Sequence, residues 1–135
     1  MQEAKRVTLR WQDGLRFTGG APDGPSITID GDNTTAPGPM LTLLLAASSC
    51  SGADVVSILQ KMRIDLRELR IDVTGQRREQ EPRRYVALHF EYLIGGEGLD
   101  QAKANRAVSL SVEKYCSVIH SLAPDIAITY AVTIA

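Results

Sequence analysis

The sequence predicts an α+β fold with the order β-β-β-α-β-β-α-β, and two observations support this. Six short segments alternate apolar and polar residues, which is typical of strands with one buried face. Two longer segments, residues 39–63 and 100–123, instead carry apolar residues at helical spacing. No internal repeat or long linker divides the 135 residues, so we expect a single domain, residues 1–135.

The first third of the chain has the alternation of three short strands. Their apolar positions are Val7, Leu9 and Trp11, then Leu15 and Phe17, then Ile27 and Ile29. Asp13 and Gly14 predict the turn between the first two strands. Gly, Pro, Asp and Asn crowd residues 30–39, so we expect a loop there.

A long helix is predicted from Pro39 to Arg63, with the proline in the first turn, where its missing N–H costs nothing. Residues 43–47 leave no polar face, so this half of the helix is expected to be buried on all sides. Residues 46–53 are nearly all small and let another element approach closely. At about 1.5 Å per residue the helix is roughly 36 Å long, and a partner subunit is its natural cover.

The second half of the chain predicts two strands in a hairpin, a helix and a closing strand. Leu69, Ile71 and Val73 share one face of the fourth strand, and Val86, Leu88, Phe90, Tyr92 and Ile94 share one face of the fifth. The solvated tip between these strands carries Arg77, Arg78, Arg83 and Arg84. The glycine-rich segment 95–98 is interpreted as a turn that ends the fifth strand.

Asp100 is predicted to cap the second helix and Pro124 to stop it. The expected buried stripe of this helix is Ala104, Val108, Val112, Tyr115, Ile119 and Leu122. The closing strand places Ile126, Ile128, Tyr130, Val132 and Ile134 on its inner face.

Charge and segment composition limit the class of protein. The net charge of −1 does not favour nucleic-acid binding. The N-terminal MQEAKRVTLRW has no apolar core, so we expect no signal peptide. The apolar run from Met40 to Ala47 is expected to be too short, and its continuation to Asp54 too polar, for a membrane span. A cytoplasmic protein without membrane contact is therefore expected, with cysteines that are reduced or redox-active.

Each predicted helix carries one cysteine, Cys50 or Cys116. Both could be small core residues, since free cysteine is among the most buried residue types. A zinc site would combine them with His120, four residues after Cys116, and with His89. His89, however, alternates with the apolar positions of its strand and is expected to point towards solvent. We therefore expect no metal and no cofactor.

The segments GPMLTLLLAASSCSGADVVSILQKMR, residues 38–63, and RAVSLSVEKYCSV, residues 106–118, each contain one cysteine. The first resembles the first cysteine helix of the OsmC/Ohr family, and the second resembles the second cysteine motif of that family. The likeness extends over essentially the whole chain. It implies an intertwined homodimer with these helices at its centre. It also implies a peroxidase acting on organic hydroperoxides, in which Cys50 attacks, Cys116 resolves and an external dithiol reduces the disulfide.

The resemblance also implies an arginine that ionises the attacking cysteine, held by a glutamate ten residues before that cysteine. Arg16, after the tryptophan strand, is the best candidate for the arginine. Met40 and Leu41 stand where the glutamate is expected, so this acid is missing. Asp54 or Glu113 could take over the anchoring; otherwise the cysteine is poorly activated. The alternative function is therefore a non-catalytic or small-hydrophobic-ligand-binding dimer with retained cysteines.

Overall fold

The computed structural model describes residues 4–135. The expectation that the N-terminal segment is no signal peptide rests in part on residues 1–3, which lie outside the described part. The chain forms two compact units, one that reaches Leu43 and one from Leu44 to Ala135. Helix α1 (Pro39–Lys61) contributes residues to both units. That residues 1–135 act as one domain stays a prediction.

The first unit contains a three-stranded antiparallel sheet in the order β1-β2-β3. Its strands are β1 (Thr8–Asp13), β2 (Arg16–Gly20) and β3 (Ser26–Asp30). The register aligns Trp11 with Phe17 and Phe17 with Ile29, so one face of the sheet is apolar. The three predicted strands are thereby confirmed.

Buried Asp30 organises the loop that leads from β3 to α1. Its carboxylate accepts hydrogen bonds from the backbone N–H of Thr35 at 2.9 Å, the backbone N–H of Asp32 at 2.9 Å and the hydroxyl of Thr34 at 2.8 Å. These bonds hold the pKa of the Asp30 carboxyl well below its usual range. The predicted loop at residues 30–39 is confirmed, except that Pro39 already belongs to α1.

The predicted long helix is confirmed as α1, which ends two residues earlier than expected. Arg63 has a φ of 64°, in the left-handed region, so the helix cannot continue through it. The expectation that residues 43–47 are buried on all sides included cover by a partner subunit: in the single chain Leu44 and Ala47 are buried, whereas Leu45 is 54% exposed. One face of α1 has no cover within residues 4–135.

Helix α1 is also long and apolar enough to cross a membrane, judged by length and composition alone. The expectation that it is too short and too polar for this is therefore wrong, because the apolar stretch after Asp54 compensates for the single charge. Core helices of soluble proteins pass the same test, and α1 buries Val55 and Leu59 completely.

The second unit is built on a three-stranded sheet in the order β4-β5-β6. Strands β4 (Asp65–Arg77) and β5 (Tyr85–Glu97) form the predicted hairpin, and residues 78–84 form its tip. At this tip the Arg84 guanidinium forms an ion pair with Asp125 at 2.6 Å. The predicted inner face of β5 is confirmed from Leu88 to Ile94, where alternate residues are almost completely buried. It is wrong at Val86, which is 37% exposed, because the register shifts at this end of the hairpin and Tyr85 is buried instead.

The glycine-rich end of β5 is not the predicted turn. Gly95 and Gly96 continue the strand and pair with β4. A Cβ atom on Gly96 would lie 2.5 Å from the carbonyl oxygen of Asp65, so only glycine allows this close approach of the two backbones. The turn comes at Gly98, which has a φ of 84°.

The second cysteine segment departs from the single predicted helix. Helix α2 (Gln101–Leu110) is followed by a π turn (Ser111–Tyr115), by Cys116 in extended backbone, and by α3 (Ser117–Ser121). A π turn contains one residue more than an α turn, so it shifts the residues after it around the helix axis. Tyr115, predicted to be buried, is therefore 51% exposed, and Cys116 is 0% exposed.

The ends of this segment agree with the sequence prediction. The Asp100 carboxylate accepts the backbone N–H of Lys103 at 2.8 Å and caps α2. Helix α3 ends before Pro124. Strand β6 (Ala127–Ile134) pairs in parallel with β5 and shows the predicted alternation of half-buried and exposed residues. The structure is therefore α+β with the predicted order of strands and helices, the second helix being interrupted.

Candidate functional site

The two cysteines, 66 positions apart in the chain, lie together in the second unit. Cys50 is half-buried in the middle of α1, and Cys116 is completely buried between the π turn and α3. Both are free thiols, and they are close enough for Cys50 to influence the pKa of Cys116. The structure thus places the two predicted redox residues near one another; their roles stay a prediction.

Backbone groups of two helices hold the Cys116 sulfur. The thiol lies 3.8 Å from the carbonyl oxygen of Ala47, one turn before Cys50 in α1. The sulfur also accepts the backbone N–H of Ile119 at 3.5 Å, so Cys116 caps the short helix α3. The extended conformation of Cys116 makes this contact possible, because a cap residue must lie outside the helix that it caps.

Burial raises the pKa of the Cys116 thiol to about 11. The N–H of Ile119 opposes this rise, and the neighbouring Cys50 adds to it. Cys116 is therefore a neutral thiol near pH 7.

Thiol alkylation should reveal this protonation state. At pH 8 a thiol with a pKa of 11 is ionised in only about one molecule in a thousand, and the thiolate is the nucleophile. We expect iodoacetamide to alkylate Cys116 in the reduced folded protein at least about tenfold more slowly than Cys50. The Cys116 rate should rise about tenfold per pH unit from pH 8 to 10. Mass spectrometry of the two peptides measures both rates, and a flat profile for Cys116 would contradict the raised pKa.

A chain of buried hydroxyl groups runs beside the cysteine pair. The Ser51 hydroxyl lies 2.6 Å from the Tyr92 hydroxyl and 2.8 Å from the Ser111 hydroxyl, and Ser111 donates to the Asp54 carboxylate at 2.9 Å. Burial raises the pKa of Tyr92 to about 12, against the opposing effect of the Ser51 hydrogen bond. The sequence analysis missed this chain. The sequence signal for it is that Ser51, Tyr92 and Ser111 all occupy buried positions of their elements.

Arg16 is the first residue of β2, in the first unit, and is partly exposed. Its guanidinium binds the Asp13 carboxylate through both Nε and Nη2, across the turn between β1 and β2. The acid that holds Arg16 is thus Asp13, which the sequence analysis had assigned only to the turn. Whether Arg16 ionises Cys50 stays a prediction.

The two acids expected to replace the missing glutamate have other partners. Asp54 accepts the hydroxyl of Ser111, and Glu113 accepts the hydroxyls of Ser109 at 2.7 Å and Tyr130 at 3.2 Å. Neither carboxylate forms an ion pair with an arginine in the described part of the chain. Whether Asp54 or Glu113 anchors the activating arginine therefore stays a prediction.

Both histidine side chains are accessible to solvent. The ring of His89 hydrogen-bonds the Thr129 hydroxyl at 2.7 Å through Nδ1 and approaches Glu91 at 3.7 Å through Nε2, on the outer face of the second sheet. His120 is exposed on α3. Within residues 4–135, no three His, Cys, Asp or Glu side chains are grouped closely enough to share a metal ion.

Comparison with known proteins gives consistent matches. The profile of a family described as OsmC-like protein matches residues 31–131. Protein YhfA of Escherichia coli K12 is 40% identical over 127 residues, which cover 93% of this chain and 95% of YhfA. The crystal structure of an OsmC-like protein from Mycoplasma pneumoniae has a TM-score of 0.84 at 17% identity, with 100% and 99% of the two chains covered.

An organic hydroperoxide resistance protein OsmC from Legionella pneumophila shares the fold, with a TM-score of 0.68 at 13% identity and 98% of each chain covered. The family match spans most of the chain, including both cysteines, and the relative from E. coli is similar over nearly its full length. The chain belongs to the OsmC-like protein family.

Proposed function

We propose that this protein is a cysteine-dependent peroxidase that reduces organic hydroperoxides. The observation that carries the proposal is that two free thiols from separate elements lie near one another, since the Cys116 sulfur is 3.8 Å from the carbonyl oxygen of Ala47, one turn before Cys50 in α1. A peroxidase of this kind needs one thiolate to attack and one thiol to resolve. Membership of a family that includes hydroperoxide resistance proteins supports the same conclusion.

Cys50 is the attacking residue in this proposal. Its thiolate attacks the terminal peroxide oxygen, the O–O bond breaks, and the alcohol leaves after taking up a proton, so Cys50 becomes a sulfenic acid. The Cys116 sulfur then attacks the Cys50 sulfur, a disulfide forms, and the sulfenic oxygen leaves as water with the Cys116 proton. An external dithiol reduces the disulfide by exchange and is itself oxidised.

Ionisation of Cys50 requires a favourable charge, and Arg16 is our candidate. The helix dipole contributes little, because Cys50 lies about three turns from the start of α1 and the dipole acts mainly in the first turn. The bidentate ion pair with Asp13 keeps the guanidinium in one orientation. Asp13 would then do for Arg16 what the family glutamate does elsewhere.

The working protein in this proposal is a cytoplasmic homodimer. The face of α1 that the single chain leaves open carries Leu45, Ser49 and Ala53, which are uncharged and mostly small. A second copy of α1 would cover this face with a closely packed helix pair. Two active sites per dimer and a small organic hydroperoxide substrate follow from the family resemblance.

Reaction with cumene hydroperoxide tests the proposal. We expect the reduced wild-type protein to form the Cys50–Cys116 disulfide far faster than free cysteine reacts, with loss of an equimolar amount of peroxide. Quenching with N-ethylmaleimide and mass spectrometry follow the thiols, and cumyl alcohol in place of the peroxide is the control. Reaction at the rate of free cysteine would refute the peroxidase.

The second candidate function is a dimer that binds a small hydrophobic molecule without catalysis. One observation favours it: the family glutamate is replaced by Met40 and Leu41. Native mass spectrometry of the purified dimer would detect such a ligand. A retained ligand combined with the peroxide reactivity of free cysteine identifies this function.

A further inference from the structure

The hydrogen bond between Ser51 and Ser111 joins the two elements that carry the cysteines. Ser51 follows Cys50 directly in α1. The carbonyl oxygen of Ser111 accepts the backbone N–H of Cys116 at 2.8 Å, which is the bond that closes the π turn. The 2.8 Å hydrogen bond between the fully buried Ser51 and Ser111 hydroxyls therefore links the neighbour of Cys50 to the residue that bonds the backbone of Cys116.

The groups bonded to Ser51 and Ser111 determine which hydroxyl donates and which accepts at each step of the chain. The Asp54 carboxylate can only accept, so the single proton of the Ser111 hydroxyl points to Asp54. Ser51 must then donate to Ser111, and Tyr92 must donate to Ser51. Every hydroxyl proton in the chain has an acceptor, and no described buried side-chain polar atom lacks a partner.

We propose that Ser51 and Ser111 are positioning residues that hold the Cys50 and Cys116 sulfurs at the separation from which their disulfide forms, with Tyr92 and Asp54 fixing the two ends. The inference rests on the disulfide step of the proposed function. Both serines lie within the two cysteine motifs, but the resemblance assigned them no role.

Such positioning matters because a disulfide bond forms only within a narrow range of geometry. The bond requires an S–S distance of about 2.05 Å and a torsion near ±90°, so small displacements of either backbone oppose it. Loss of the Ser111 hydroxyl would leave the buried Ser51 hydroxyl without its acceptor and the Asp54 carboxylate without this donor. Helix α1 and the π turn would then be free to shift apart. The tendency of the two thiols to pair should fall, although Cys50 itself is unchanged.

The effective concentration of the thiol pair measures this positioning. Folded protein is equilibrated with oxidised and reduced glutathione. In this reaction the protein dithiol and one oxidised glutathione give the protein disulfide and two reduced glutathiones, and mass spectrometry measures the fractions of dithiol and disulfide protein. We expect Ser111→Ala to lower the equilibrium constant for formation of the protein disulfide about tenfold or more. The matched control Ser109→Ala removes a hydroxyl that bonds the exposed Glu113 and should leave the constant unchanged.

Two further variants keep the inference testable if Ser111→Ala does not fold. Tyr92→Phe keeps the buried ring and removes only the donor at one end of the chain, and Ser51→Ala removes the central hydroxyl. Each should lower the constant, and thermal melting of the reduced protein separates this effect from stability. Wild-type constants in folded Ser51→Ala and Tyr92→Phe, or in Ser111→Ala, would overturn the inference.

The glutathione measurement also separates this inference from the peroxidase proposal. A wild-type protein that pairs its thiols readily with glutathione but reacts slowly with cumene hydroperoxide refutes the peroxidase and leaves the positioning role intact. A wild-type protein that reacts fast with the peroxide, together with unchanged constants in the variants, refutes the positioning role alone.

Discussion

Replacing Cys50 with serine should reduce peroxide consumption to the rate of protein-free buffer, whereas Cys116→Ser should retain the first reaction and lose the second. The two outcomes follow from the protonation states of the thiols. Because burial keeps Cys116 neutral, with a pKa of about 11, it is a poor first attacker. Cys50 is half-buried and therefore more accessible to a peroxide. The roles that the family resemblance implies are thus the ones that the electrostatics favour.

The Cys116→Ser variant is expected to accumulate an oxidised Cys50. Without a resolving thiol, the sulfenic acid persists and a second peroxide converts it to sulfinic acid, which dithiols do not reduce. Dimedone, which reacts with sulfenic acids, should label this variant strongly and the wild type only briefly. Mass spectrometry of the Cys50 peptide after increasing peroxide doses measures both products.

The control variant for these two is Ser121→Ala. Ser121 is exposed on α3, and its hydroxyl donates to the carbonyl oxygen of Ser117 within the described chain. It should react like the wild type. If Cys50→Ser still consumed peroxide and Cys116→Ser did not, the assigned roles would be reversed.

The spacing of apolar residues predicted most of the fold, because strands and helices with one buried face repeat apolar residues at regular intervals. The inner face of β5 is the clearest case, since Leu88 and Ile94 alternate with residues that face outwards, as in any half-buried strand. The same reasoning gave a correct start for α1 at Pro39. It failed at Gly96, where the backbone of a neighbouring strand, rather than a local turn, requires glycine.

The candidate site was only half predictable. The resemblance identified Cys50 and Cys116, but a π turn has no periodic signal, so the break at Cys116 was not expected. The hydroxyl chain was missed for a related reason. Tyr92 has the spacing of a core residue, and Ser51 is one of several small residues, so only three-dimensional contact shows that they are bonded.

Replacing Ala53 with arginine should convert the proposed dimer into a monomer. Ala53 is exposed in the single chain and lies in line with Leu45 and Ser49 along α1, so its side chain would meet the second copy of the helix. Small residues at this position allow two helices to approach closely. A long charged side chain prevents that approach and would be buried without a partner.

The effect on association should be large. An uncompensated buried charge costs about 3–5 kcal/mol, so we expect the dissociation constant of the dimer to rise at least about a hundredfold. Sedimentation velocity over a range of protein concentrations measures this constant. The monomer core should be unaffected, because the inward residues Val55 and Leu59 are unchanged.

The matched control is Ala102→Arg, which makes the same substitution on the exposed face of α2. It should leave the dimer intact, because α2 does not belong to the open face of α1. A wild-type protein that is already monomeric, or an Ala53→Arg variant that remains dimeric, would show that α1 does not form the interface. The exposed Leu45 would then need another explanation, since an uncharged helix face of this length is costly to leave in water.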